Sequence, residues 1–151
     1  MIAIGKAAPA FSSPDQDGTK RTLAEFRGKW VVLYFYPRDD TPGCTVEACE
    51  FTEGVRGFTK LDAQVLGCSP DTPEKHKKFI EKYKLPFSLL ADEDLKVLKA
   101  YEAWGERSMY GRKFMGILRK TYVIGADGKI KAIFPKVKPA GHEKEVLEAL
   151  G

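Results

Sequence analysis

Long apolar runs are missing from this 151-residue chain. The longest, Trp30 to Tyr36, has seven residues, against the roughly 20 that a membrane-crossing helix needs. No membrane association is expected. The opening MIAIGKAAPAF has no charged segment leading into a long apolar stretch, so no export signal is expected and the cytoplasm is the expected location. Cysteine is scarce: three, an odd count at low density, argues against a structural disulfide framework and for thiols in a reducing compartment. Histidine is scarcer still, at two. With no cysteine pair at zinc spacing and only His76 and His142 to assist, zinc is not expected. With no histidine near Cys44 in sequence, a Cys-His hydrolase stays open but unsupported. A Cys-x-x-Cys pair is absent, which sets aside a thioredoxin-type redox motif, and Glu50 stands where a phosphatase loop would carry arginine.

Repeats, low-complexity tracts and linker-like stretches are also lacking, so one domain spanning residues 1–151 is expected. The composition, 43% hydrophobic and 30% charged, is that of a globular domain with a core. The net charge is +4, with charges of both signs interspersed. That is a weak signal for nucleic acid, and none is expected as a partner. The basic excess lies in residues 76–151, with 16 Lys and Arg against 10 Asp and Glu. It could steer an anionic partner; a solvated surface is the favoured reading.

The residues that are present alternate between strand and helix patterns. PDQDGTKRTLAEFRGK, with its Asp-Gly turn, reads as a short hairpin or loop before WVVLYFY, whose β-branched and aromatic run fits a strand buried on both faces. AQVLGC (63–68) reads as a second strand, and Thr72 to Tyr83 as a helix with His76, Phe79, Ile80 and Tyr83 on one face. FSLLAD follows as a strand, DEDLKVLKAY as a helix, KTYVIGADGKIKAIF as two strands joined at an Asp-Gly turn, and HEKEVLEAL as a terminal helix. The pattern is an α/β sandwich with an antiparallel hairpin near its end.

One segment carries chemistry: YPRDDTPGCTVEACEF, residues 36–51. Thr41 fits a helix N-cap, Pro42 fits the first helical position, and Gly43 permits close approach. Cys44 then stands at the third position, beside unpaired backbone N–H groups and the positive end of the helix dipole, which favour thiolate. Ala48, Phe51, Val55 and Phe58 continue an apolar stripe. Cys49 lies five residues on, which in a continuous helix means a rise of about 7.5 Å and a rotation of about 500°. A 44–49 disulfide would therefore require the helix start to unwind. The spacing leaves two readings of Cys49 open: a second reactive thiol that meets oxidised Cys44 in a locally unfolded state, or a small buried apolar residue. Asp39 and Asp40 read as a solvated loop, His76 and His142 as structural histidines.

The segment YFYPRDDTPGCTVEACEF resembles the active site of peroxiredoxins, whose Pro-x-x-x-Thr-x-x-Cys hallmark is met by Pro37, Thr41 and Cys44. TPGCTxEAC is similar to the bacterioferritin comigratory protein or peroxiredoxin Q branch. VLGCSPDTPEKHKKF, LPFSLLADED and the loop WGERSMYGRKFMGILRKTYVIGADGKI resemble that branch too, so the similarity spans nearly the whole chain. It implies a thioredoxin-like fold, a central mixed β-sheet flanked by helices, with the peroxidatic Cys44 opening a helix after a central strand. By the same resemblance Arg119 is the active-site arginine, Thr41 contacts the peroxide, Pro37 shields the sulfur, and Glu47 orients the arginine. The implied reaction is reduction of hydrogen peroxide and organic hydroperoxides through a Cys44 sulfenic acid and a Cys44–Cys49 disulfide, recycled by thioredoxin or a similar dithiol, with no metal, flavin or other cofactor. A monomer or weak homodimer is implied. The alternative is a peroxide sensor, or a partner-binding redox switch, on the same fold. Cys68 departs from the branch, which often has a small apolar residue there; a buried hydrophobe is the favoured reading, and a thiol that competes with Cys49 as resolving group is the alternative. Trp104, Met109, Tyr110, Phe114 and Met115 could form an apolar collar for a hydroperoxide tail or a partner; packing of a loop on the core is favoured.

Overall fold

The computed structural model describes residues 2–54, 63–137 and 141–150. Val55 and Phe58, expected on the first helix, lie outside them, as does the side chain of Met109. The apolar run forms β3 (Trp30–Phe35), the middle of a five-stranded sheet ordered β5-β4-β3-β8-β9. β4 (Ala63–Ser69) and β5 (Ser88–Ala91) run parallel to β3, while β8 (Thr121–Ile124) and β9 (Ile130–Phe134) run antiparallel on its other side. The sheet is mixed, with apolar clusters on both faces. Strand side chains alternate between faces, so Val31, Leu33 and Phe35 enter one cluster and Val32 and Tyr34 the other.

The face of Val32 and Tyr34 receives α1 (Pro42–Glu53), α2 (Pro73–Tyr83) and α4 (His142–Leu150) through Ala48, Phe51, Phe79 and Val146. The opposite face receives α3 (Lys96–Ala100) through Val97 and Leu98, together with Phe11 and Phe26. Tyr34 stacks on Phe51 at 4.8 Å between ring centres, which seats α1 on β3. The phenol passes over β4 at Gly67, where a Cβ would stand 2.9 Å from Tyr34 Cζ and 2.6 Å from Leu89 Cδ2. Only glycine fits there.

Two expectations about local structure change. The helix over 92–101 is reduced to Lys96–Ala100, because the buried Asp92 carboxylate accepts the N–H groups of Val97 and Leu98 and fixes its start. The stretch from Trp104 that reads as a loop is a hairpin of β6 (Trp104–Met109) and β7 (Arg112–Ile117), preceded in the chain by the hairpin β1 (Ser12–Pro14) and β2 (Lys20–Thr22). Its turn is Tyr110-Gly111, with φ of 53° and 76°, the double positive φ that matches strand twist in two-residue turns. Trp104 packs on the core, but Tyr110, Phe114 and Met115 are exposed. The favoured packing reading therefore fails for these three. No described helix is long and apolar enough to cross a membrane.

Candidate active site

β3 and β8 bring the site together. Their antiparallel register pairs Tyr34 with Thr121, and the Phe35 N–H donates to Lys120 O at 2.9 Å. Arg119 is therefore held beside the end of β3, from which the 36–41 loop leads into α1. Cys44, 75 residues earlier in the chain, occupies the first turn of α1 and is 1% exposed. Arg119 Nη2 donates to Cys44 Sγ at 2.9 Å, and Nη1 donates to Glu47 Oε1 at 2.9 Å. One planar guanidinium thus joins the sulfur to a carboxyl one helical turn further on.

Glu47 is 1% exposed, and burial pushes its carboxyl up to about 8; Arg119 pulls the other way and Glu50 adds to the rise. Its Oε2 has no hydrogen-bond partner among the described residues, the place where a carboxyl proton meets no cation. A protonated Glu47 leaves the positive charge of Arg119 to the sulfur, and an ionised one shares it.

Thr41 stands at the N-cap position, and its carbonyl accepts the Thr45 N–H at 2.8 Å. Its hydroxyl does not cap the helix. It donates to the Arg38 carbonyl at 3.0 Å, so a cap contribution of about 1 kcal/mol is given up. Pro37 stands in the same loop, partly buried.

Cys49 lies in the second turn of α1 and is partly exposed; no disulfide joins Cys44, Cys49 or Cys68. The continuous α1 helix keeps Cys44 and Cys49 on different faces. Cys68 is fully buried on β4 in the cluster on the far face of the sheet from Cys44. Burial, and after it Asp92, pushes its thiol well up. The sheet separates it from Cys44, as a buried hydrophobe would be.

The solvated-loop reading of Asp39 is overturned. Its side chain is 5% exposed, and Oδ2 lies 2.6 Å from Nδ1 of the fully buried His76. Asp40 is exposed but tied, accepting from Lys82 Nζ at 2.7 Å and Tyr83 Oη at 2.8 Å. His142 is buried and hydrogen-bonds Thr121 Oγ1 at 2.8 Å through Nε2, a structural contact. Among the described residues, Asp39, Asp71 and His76 form the one close group of metal-ligating side chains. Their donors are already engaged, with Tyr36 on Asp39, Ser69 on Asp71 and the Leu90 carbonyl on His76. Sequence reasoning missed this cluster; the one legible hint was a histidine on an otherwise apolar helix face.

Residues 4–133 match the model of the AhpC/TSA family. The chain is 45% identical to Peroxiredoxin Bcp of Escherichia coli (strain K12) and 43% identical to Peroxiredoxin Bcp of Bacillus subtilis (strain 168). Each alignment covers 99% of this chain, with 96% and 95% of the relative. A solved structure of the Xanthomonas campestris bacterioferritin comigratory protein, described in terms of its alkyl peroxide reduction activity, superposes with a TM-score of 0.88 at 37% identity, over 93% of this chain and 89% of that one. The fold is thioredoxin-like, and its sheet brings Arg119 into hydrogen-bond contact with Cys44. The chain belongs to the AhpC/TSA family of peroxiredoxins, on the bacterioferritin comigratory protein or peroxiredoxin Q branch.

Proposed function

We propose that this protein is a thiol peroxidase acting in the cytoplasm as a single domain. It reduces hydrogen peroxide and organic hydroperoxides at Cys44 and is recycled by thioredoxin or a similar dithiol protein. The observation that carries the reading is the 2.9 Å hydrogen bond from Arg119 to Cys44 Sγ. A relative described by its alkyl peroxide reduction supports the substrate class.

The Cys44 thiolate attacks the terminal oxygen of the hydroperoxide. An S–O bond forms, the O–O bond breaks, and the leaving oxygen takes a proton to depart as water or alcohol, leaving a sulfenic acid. Arg119 stabilises charge on the sulfur and on the leaving oxygen. Thr41 binds the peroxide, Pro37 shields the sulfur, and Glu47 holds the guanidinium. The start of α1 then unwinds, Cys49 thiolate attacks the sulfenic sulfur, and a disulfide forms as the hydroxyl leaves with a proton as water. A dithiol reduces that disulfide by exchange.

Fully reduced protein mixed with one equivalent of hydrogen peroxide, quenched by alkylation within seconds and mapped by mass spectrometry, tests this. A 44–49 disulfide with Cys68 alkylated is expected. Cys44→Ser consumes no peroxide, and Cys49→Ser undergoes one oxidation without thioredoxin-linked cycling. Sustained cycling by Cys44→Ser would overturn the assignment.

A further inference from the structure

A single peptide unit joins Thr41 to the polar cluster behind the active-site loop. The N–H of Asp39 donates to Asp71 Oδ2 at 2.8 Å, and the C=O of Arg38, in the same plane, accepts the Thr41 hydroxyl at 3.0 Å. The peptide is trans, so its N–H and C=O point in opposite directions and fixing one fixes the other. Both ends of this link are supported. Asp71 Oδ2 also accepts from the fully buried Ser69 hydroxyl at 2.8 Å. The Asp39 carboxylate is gripped by Tyr36 Oη and by His76, whose other ring nitrogen bonds the Leu90 carbonyl at 2.9 Å.

A hydroxyl has one proton and two acceptor sites. With its proton committed to Arg38 O, Thr41 Oγ1 can only accept from a further partner. The terminal O–H of a hydroperoxide is such a donor, on the oxygen that the sulfur attacks. If the Arg38–Asp39 peptide turned away, the hydroxyl would regain the usual N-cap choice, accepting the Cys44 N–H in place of substrate.

We infer that Asp71 and His76 are positioning residues for hydroperoxide recognition, holding the Arg38–Asp39 peptide so that Thr41 offers the substrate an acceptor. The inference rests on the proposed contact between Thr41 and the peroxide. It extends that reading to residues 30 and 35 positions further along the chain, neither of which touches the sulfur or the substrate.

The test compares two rates on the intact protein: oxidation of reduced Cys44 by hydrogen peroxide, and alkylation of Cys44 by iodoacetamide, which needs the sulfur but not the Thr41 hydroxyl. Asp71→Ala is expected to slow oxidation about tenfold, the equivalent of one hydrogen bond, and to leave alkylation unchanged. Asp71→Asn keeps an oxygen for the Asp39 N–H and restores most of the loss. In a Thr41→Val background, Asp71→Ala has no further effect, because the pair acts as one unit. Should Asp71→Ala fail to fold, His76→Gln carries the same comparison through Asp39. Undiminished oxidation in Asp71→Ala, an equal fall in alkylation, or an undiminished Asp71→Ala effect on Thr41→Val would each overturn the inference alone. Oxidation of Thr41→Val at the parent rate would overturn both the inference and the peroxide contact on which it rests.

Discussion

Replacing Arg119 with methionine keeps most of the aliphatic stem and removes the guanidinium, so two contacts are lost at once: the 2.9 Å donor to Cys44 Sγ and the 2.9 Å donor to Glu47 Oε1. A hydrogen bond to a charged group contributes roughly 1.5–3 kcal/mol, and removing a preorganised donor from developing charge costs about 10²–10³ in rate. Oxidation of Cys44 should slow by about that factor. The fold should suffer little, because burial already favours the protonated form of Glu47, so the carboxyl takes a proton and no buried charge is stranded. A stability loss of about 1 kcal/mol, or roughly 2–4 °C in melting temperature, is expected. The assay follows oxidation of the reduced protein by hydrogen peroxide in stopped flow, beside a thermal melt of the same sample. A loss under about fivefold would refute the role given to Arg119, since the equivalent energy, about 1 kcal/mol, falls below that of one charged hydrogen bond. A rate loss that merely tracks the unfolded fraction would refute it too.

Glu47→Gln should flatten the pH dependence of stability. The folded state keeps a carboxyl proton up to about pH 8, while the unfolded chain releases it near its ordinary value of 4.5, so this group's contribution falls as pH rises between those values. The glutamine variant should gain stability over the parent from pH 5 to pH 9 by an amount on the order of a few kcal/mol; urea titrations at the two pH values measure it, and a parent that grows more stable over that range relative to the variant would reverse the sign. Cys68→Ala should leave peroxide turnover unchanged and cost about 1–2 kcal/mol through loss of a buried sulfur. Slowed disulfide formation in that variant would return Cys68 to the chemistry.

Local signals in the sequence were enough for much of the scaffold. The run WVVLYFY marked the central strand, Thr-Pro-Gly-Cys marked the start of α1, and Asp-Gly marked the β8–β9 turn, because each depends on neighbours within a few residues. The β6–β7 hairpin escaped because its strands mix charged and apolar residues without a regular alternation and only Tyr110-Gly111 announces the turn. Asp39 escaped for a different reason: its partner His76 lies 37 residues away, and no local pattern distinguishes a buried aspartate from a solvated one.

By itself the sequence determined where a reactive cysteine could stand and that five residues of helix would separate it from Cys49. It singled out Arg119 among seven arginines only through a family resemblance. Tertiary structure decided which groups meet that sulfur. Strand pairing brought Arg119 across 75 residues to Cys44, and the two faces of the sheet set Cys68 apart from it. The cluster of Asp39, Asp71 and His76 turned the Thr41 hydroxyl from a helix cap toward Arg38 O. Helix and strand starts follow from short-range backbone preferences, whereas the partners of a buried polar group depend on how the sheet is ordered, which no window of a few residues contains.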